Sequence, residues 1–281
     1  MSIANSYRGQ AVALATLHHK GALAQEPFFE ILGMRVEEVR VDTDQFGTFS
    51  GDVERTFTPR EVLIAKAELG IANSQSQYGL ASEGTIGADP VVGFLNSDIE
   101  HVGFLDSENN LFISHSFRSF DIQAQTHQYT PGEDLSVFLA KADFPHHQLI
   151  VKSFDDGVKP LAKGISTLEE LMKVLRSADD QGLRKITIES DLRAHASPSR
   201  AANIKKAFNE LATKVNTPCP QCECPGWGVT SSVAGLACLD CGEETEAVKA
   251  YIYGCISCTF TQEGDPVAEG VDPSRCNWCN P

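Results

Sequence analysis

The sequence predicts an α/β body, a mixed sheet covered by helices, followed by a small double zinc-ribbon domain. Three observations carry this. Strand-length apolar runs alternate with helix-length amphipathic segments at both ends of the first 215 residues, hairpin-like pairs of short runs fill the middle, and all nine cysteines lie between Cys219 and Cys279. The abrupt change in cysteine content divides the chain into an α/β domain over residues 1–215 and a cysteine-rich, double zinc-binding domain over 216–281. At 281 residues, 42% hydrophobic and 22% charged, the chain has enough apolar material for a sizeable core, and disorder, collagen-like repeats and coiled coil are excluded.

Residues 10–16 read as a buried strand that runs out into Thr16-Leu17-His18-His19-Lys20, followed by a helix over 27–32 and an alternating strand over 34–41. Thr58-Pro59-Arg60-Glu61 combines an N-cap, a proline at the first helical position and a Glu three residues after the cap, so a helix runs from Pro59 to Ala72. Residues 78–82 form a short strand ending at Glu83-Gly84. Further strands are expected at 91–95, 100–105 and 111–117, the last two joined by the turn Asp106-Ser107-Glu108-Asn109-Asn110. Helices follow at 135–142, 167–178 and 198–215, with strands at 149–154 and 185–189 between them.

The longest apolar run, Ala11 to Leu17, is strand-length and well short of the roughly 18–20 residues a membrane helix needs. The first twenty residues lack the basic start, long apolar stretch and small-residue cleavage site of a secretory signal, which predicts a cytoplasmic protein without a membrane segment. In that compartment clustered thiols hold metal more often than they form disulfides. A formal charge of −15 argues against non-specific nucleic-acid binding, which rests on Lys and Arg neutralising phosphates. From Asn216 onward nine acidic residues face Lys249 and Arg275, a net of −7, so the tail suits a protein partner better than a nucleic acid.

Eight cysteines form four CxxC pairs: Cys219/Cys222, Cys238/Cys241, Cys255/Cys258 and Cys276/Cys279. A CxxC turn places two thiolates on one side of a tight knuckle, and two knuckles supply the four soft ligands of a closed tetrahedral Zn²⁺ site. The 15 residues between the first two pairs and the 17 between the last two favour a sequential pairing over an interleaved one. Four cysteines leave no open position, so both zincs are expected to be structural. Cys224 is left outside the pairs.

Four polar clusters in the body could carry chemistry. The first is Ala15-Thr16-Leu17-His18-His19-Lys20, at the carboxyl end of a strand and just before a helix, where a phosphate would find Lys and a helix amino terminus. The second is Asp42-Thr43-Asp44-Gln45-Phe46-Gly47-Thr48-Phe49 with Asp52, Glu54 and Glu61, an oxygen-rich stretch suited to a hard cation such as Mg²⁺. The third places Glu83 directly after a strand and before Gly84, from where a carboxylate reaches a metal or activates water. The fourth runs from Glu189 to Arg200 and gathers Asp191, Arg193, His195 and Arg200 between a strand and a helix.

Taken in order, ATLHHK, DTDQFGTF, ASEGTIG, SDLRAHASPSR and the CxxC tail resemble a bacterial family known only by an unknown-function label. Residues 11–105 also resemble the inosine/xanthosine triphosphate pyrophosphatase (ITPase-like) superfamily. Ala15, Thr16 and Lys20 stand for its phosphate-holding strand end, with His18 where the superfamily has Asn. Phe46-Gly47, Glu61 and Lys66-Ala67 resemble its aromatic segment and metal-binding helix, Glu83-Gly84 its acid after the next strand, and Arg193-Ala194-His195 its last basic segment. The resemblance implies Mg²⁺-assisted hydrolysis of a nucleoside triphosphate or related phosphoanhydride. Thr16, His18 and Lys20 would then hold phosphate, Glu61 and Glu83 would bind metal or orient water, and Arg193, His195 or Arg200 would close over the substrate. The alternatives are a non-enzymatic zinc module that binds a protein through its acidic tail, and a hydrolase of another phosphorylated small molecule.

Overall fold

The computed structural model describes residues 6–17, 20–43 and 57–281. β1 (Ala11–Ala15) pairs in parallel with β2 (Arg35–Val39) on one side and with β3 (Tyr78–Ala88) on the other. β3, β4 (Asn96–Asp106) and β5 (Leu111–Ser119) then run antiparallel, giving a mixed sheet in the order β2-β1-β3-β4-β5. Alternate side chains of each strand face opposite sides, so both faces need a cover. On one side Leu14, Leu80, Val102 and Phe104 meet Phe28 of α1 (Gly21–Leu32) and Ile204, Phe208 and Leu211 of α5 (Pro198–Asn216). On the other, Ala81 meets Leu63 and Ala67 of α2 (Pro59–Ala72). Gly79 permits that contact, because a Cβ there would stand 2.5 Å from the Ala67 carbonyl oxygen.

Between β5 and α5 the chain builds a second, all-antiparallel sheet. Its strands β6 (Thr126–Tyr129), β7 (Leu149–Ser153), β8 (Lys159–Ile165) and β9 (Ile186–Ser190) lie in the order β6-β9-β7-β8. α3 (Ser136–Lys141) and α4 (Leu168–Asp180) close it, with Phe138, Leu171 and Leu175 packing on Leu149, Val151 and Ile188 in a core of their own. After α5 the tail forms a ribbon of β10 (Gly228–Ala234), β11 (Val248–Gly254) and β12 (Thr261–Glu263). Among the described residues no helix is long and apolar enough to cross a membrane.

The α/β class and the double ribbon are as the sequence predicts, with local differences that matter for the site. The expected strand over 91–95 is the tip of a long hairpin. Asp89 Oδ1 accepts the N–H groups of Val91 and Val92, which closes the turn, and Val91 and Phe94 are exposed at 78% and 85%. β3 and β4 therefore pair over eleven residues each, from Tyr78↔Asp106 to Ala88↔Asn96, and Ser82-Glu83-Gly84 lie within a strand rather than after one. α1 starts at Gly21, with Pro27 inside it. β6, β8 and the tail strands have no counterpart in the sequence reading.

Candidate functional site

In a sheet ordered 2-1-3, with α1 and α2 on opposite faces, the parallel strands β1 and β3 lie side by side, and the carboxyl ends of such strands are the usual ligand position in α/β sheets. Thr16 and Lys20 stand at that end of β1, and both are buried. The register Leu14↔Leu80, carried two residues further, brings Thr16 level with Ser82. Lys20 Nζ donates to Ser82 Oγ at 3.0 Å. Burial, followed by the nearby Arg200 guanidinium, draws the Lys20 ammonium down from 10.5 to about 8.

On the same face as Ser82, counting by strand alternation from Leu80, a chain of buried polar groups extends across the sheet to α5. Arg200 Nε donates to Glu100 Oε1 at 2.6 Å and its Nη1 to the Leu192 carbonyl at 2.6 Å. Asn203 Nδ2 donates to Asp98 Oδ2 at 2.9 Å and to the Asp121 carbonyl at 2.9 Å. Gly84 makes room for this, since a Cβ there would lie 2.5 Å from both Arg200 Nη2 and Glu100 Oε1. Asp98 and Glu100 are fully buried neighbours on β4. Burial first, then the Glu100 charge, pushes Asp98 up from 3.8 to about 7. Against its own burial, Glu100 is held below the usual range by Arg200 and Lys20. Protonating one member of the pair relieves two like charges that cannot both ionise cheaply in a dry interior.

The structure places the sequence-predicted residues apart from one another. Thr16, Lys20 and Arg200 belong to this cluster or its edge, and His18 lies outside the described residues, as do Asp44, Phe46, Gly47, Asp52 and Glu54. Glu83 is buried but faces α2, where Lys66 Nζ donates to its Oε2 at 2.5 Å. Among the described residues Glu61 belongs to no group of candidate metal ligands. It is an exposed capping-box residue, accepting from Thr58 N at 2.8 Å while Glu61 N–H donates to Thr58 Oγ1 at 3.3 Å. The described residues do not bring Glu61 and Glu83 together: one carboxylate caps a helix start and the other pairs with Lys66. The amino terminus of α1, expected to receive phosphate, is occupied by Glu38, whose Oε1 accepts from Gly21 N at 2.5 Å. Arg193 turns toward the second sheet and clamps Asp191 through Nε and Nη2, and His195 is exposed.

Sequence reasoning missed Asp98, Glu100, Asn203 and the buried role of Lys66. A usable signal existed on β4: Asp98 and Glu100 share the inward phase of Val102 and Phe104, and an acid in that phase marks a buried charge that needs a partner. A further cluster, Asp143, His146 and His147, was also missed. Ser199 N–H donates to His147 Nε2 at 3.1 Å, so that nitrogen is an acceptor and the neutral ring carries its proton on Nδ1, facing Asp143 Oδ2 at 2.9 Å. A metal at Nδ1 would displace that proton, whereas capping the first turn of α5 uses the ring as it stands. Ser197, the N-cap residue, makes no side-chain cap bond itself.

The tail holds two cysteine tetrads, Cys219/Cys222/Cys255/Cys258 and Cys238/Cys241/Cys276/Cys279, with all ligand atoms of each within 4.8 Å of one another. This corrects the sequential pairing. The reason is the β10–β11 ladder: Gly228↔Gly254 returns the chain to the first knuckle, so Cys255 arrives beside Cys222, while Ala234↔Val248 leaves the second knuckle at the far end. There a Cys238↔Val271 bridge guides the last knuckle in. Sγ···Sγ distances of 3.8 Å (Cys219–Cys258), 3.6 Å (Cys222–Cys255), 3.8 Å (Cys238–Cys279) and 3.7 Å (Cys241–Cys276) match the edge of about 3.8 Å that a tetrahedron with Zn–S near 2.3 Å requires. They are far too long for disulfides. The residues fit Zn²⁺ chemically as well. Backbone N–H groups of Cys241 and Asp240 draw Cys238 down to about 7, while a hydrogen bond with the Cys241 thiol and then burial push Cys279 up to about 12, a conflict that a divalent cation removes.

A family model described as Domain of unknown function (DUF6671) matches residues 66–281, from α2 through both tetrads. The chain belongs to the DUF6671 family. The part of this DUF6671 member that the family model covers includes Lys66, Glu83, Asp98, Glu100, Arg200 and all eight tetrad cysteines. No curated protein and no solved structure matches the chain, and the ITPase-like resemblance finds no support in the comparisons.

Proposed function

We propose that the body binds a small anionic molecule, phosphate- or carboxylate-bearing, at the carboxyl end of β1 beside β3, and that the two zinc centres are structural. The observation that carries this reading is Lys20. Its ammonium is buried and has three donors, and among the described residues its Nζ meets one acceptor, Ser82 Oγ. On that face Lys20 and Arg200 oppose Glu100 and an Asp98 whose charged form burial disfavours, a balance that favours an added anion. Phosphoanhydride hydrolysis would need a metal-binding carboxylate pair in addition, and Glu61 and Glu83 do not supply one.

The zinc centres serve folding because the tail contributes few residues to any core, and bound metal is worth roughly 10–16 kcal/mol in small zinc-dependent peptides. A second reading, docking of the tail to a protein partner, is favoured by the exposed Leu239 and Trp278 on knuckles of one centre within an acidic segment. The anion site is tested by thermal shift with inorganic phosphate, sulfate and a panel of nucleotides and sugar phosphates. Stabilisation by at least one ligand is expected at pH 7, weaker above pH 8 as the ammonium deprotonates, and absent in Lys20→Met. Equal shifts in wild type and Lys20→Met would refute the site.

A further inference from the structure

The tail carries two tryptophans in opposite settings. Trp227 stacks on Phe260 with ring centroids 5.4 Å apart, whereas Trp278, inside the last CxxC knuckle, is 72% exposed and has no ring partner among the described residues. Leu239, in a knuckle of the same zinc centre, is 64% exposed. Cys238 Sγ and Cys279 Sγ, each one residue away from Leu239 or Trp278, stand 3.8 Å apart, so the two apolar side chains flank one metal site. Building on the tail-docking reading, we propose that this centre is the docking face for an extended basic segment of another protein, with a lysine or arginine laid on the Trp278 indole and an apolar residue covering Leu239.

The platform is preformed. Leu239 N–H donates to the Val271 carbonyl at 2.9 Å and Val271 N–H to the Ala237 carbonyl at 2.8 Å, which fixes the Leu239 knuckle against the chain that leads into the Trp278 knuckle. Gly270 seats Leu239, since a Cβ there would lie 2.7 Å from Leu239 Cδ2. A surface already ordered loses little entropy when a partner binds. Charge then selects the occupant. Residues 236–247 and 268–281, which build this centre, hold six acids against the single cation Arg275, and a zinc ion with four thiolates keeps two net negative charges. Asp240 Oδ2 lies 4.0 Å from the Sγ of Cys279, the residue after Trp278, and among the described residues Asp240 forms no ion pair with a Lys or Arg. An exposed indole next to a carboxylate without a cation suits a cationic side chain, because cation–π attraction and a charged hydrogen bond act at one point. The same charge repels nucleic-acid phosphates, anionic lipid headgroups and a second copy of the tail.

The test pans full-length, zinc-loaded protein against a random heptapeptide phage library, discards phage that also bind Trp278→Ala, and measures one enriched peptide by fluorescence anisotropy. Expected are a consensus that pairs lysine or arginine with an apolar residue, at least tenfold weaker binding to Trp278→Ala and to Asp240→Asn, and no more than a twofold change for the exposed Glu263→Gln on β12. Two zincs per chain in each variant would show that the tail keeps its fold. A consensus that depends on Trp278 but lacks basic residues would overturn the basic occupant while leaving the tail a docking face. Absence of any Trp278-dependent enrichment would remove the docking reading as well. Equal losses for Asp240→Asn and Glu263→Gln would reduce the binding to diffuse charge attraction and overturn the proposal, as would self-association in ultracentrifugation that Trp278→Ala abolishes.

Discussion

Arg200 Nε donates to Glu100 Oε1 at 2.6 Å, joining the first turn of α5 to the middle of β4 between two almost fully buried side chains. Breaking one partner of such a pair leaves a bare charge in a dry interior, which costs about 3–5 kcal/mol, more than the pair itself contributes. Arg200→Met should therefore lose stability on that scale in urea unfolding. Adding Glu100→Gln to the same chain should recover part of the loss, because the orphaned charge is gone. A double variant no more stable than the single would mean that Glu100 is not the group being stranded.

Asp98 sets a pH dependence with a definite sign. Its folded-state value, about 7, lies above the ordinary 3.8, so across that window the folded protein holds a proton that the unfolded chain has released. Its contribution is fully present below the ordinary value and is lost as pH rises toward 7. Asp98→Asn should flatten the decline in unfolding free energy between pH 4 and pH 7, measured by denaturant titration at several pH values. An unchanged slope would assign the proton elsewhere.

Much of the fold was legible because its signals are local. The capping box Thr58/Glu61 marks the start of α2 in the sequence and in the structure, and the CxxC knuckles name their own ligands. What failed was non-local. Whether 91–95 is a strand or a turn depends on the Asp89 carboxylate folding back on Val91 and Val92, and apolar content alone reads it wrongly. Glu61 satisfies a metal-ligand motif and a cap motif equally well on paper, and in the structure its carboxylate takes up the Thr58 hydroxyl three residues away. Asp98 and Glu100 became significant when α5, a hundred residues later, delivered Asn203 and Arg200 to them.

His147 should behave as a helix cap. Its Nε2 takes the Ser199 N–H at the start of α5, and Asp143 fixes the ring from the other side. His147→Ala should cost about 1–2 kcal/mol in chemical denaturation, the range for losing a strong cap. It should leave the bound zinc at two per chain. A drop in metal content with little loss of stability would make the Asp143/His146/His147 cluster a third metal site instead.

The interleaved tetrads give a prediction that separates the two pairings by counting metal. Cys219 and Cys258 share one centre, and Cys238 belongs to the other. The double variant Cys219→Ser/Cys258→Ser should therefore retain one zinc per chain, because the second tetrad is untouched. Cys219→Ser/Cys238→Ser should bind none tightly, because each centre has lost a thiolate. Sequential pairing reverses both results, since Cys219 and Cys238 would then share a site. Atomic emission on gel-filtered protein reads the stoichiometry directly. Because β10 and β11 span the interval between the two centres, loss of one metal should loosen the ribbon at one end while the other knuckles hold. Limited proteolysis near the disabled centre, with the opposite end protected, would show that asymmetry.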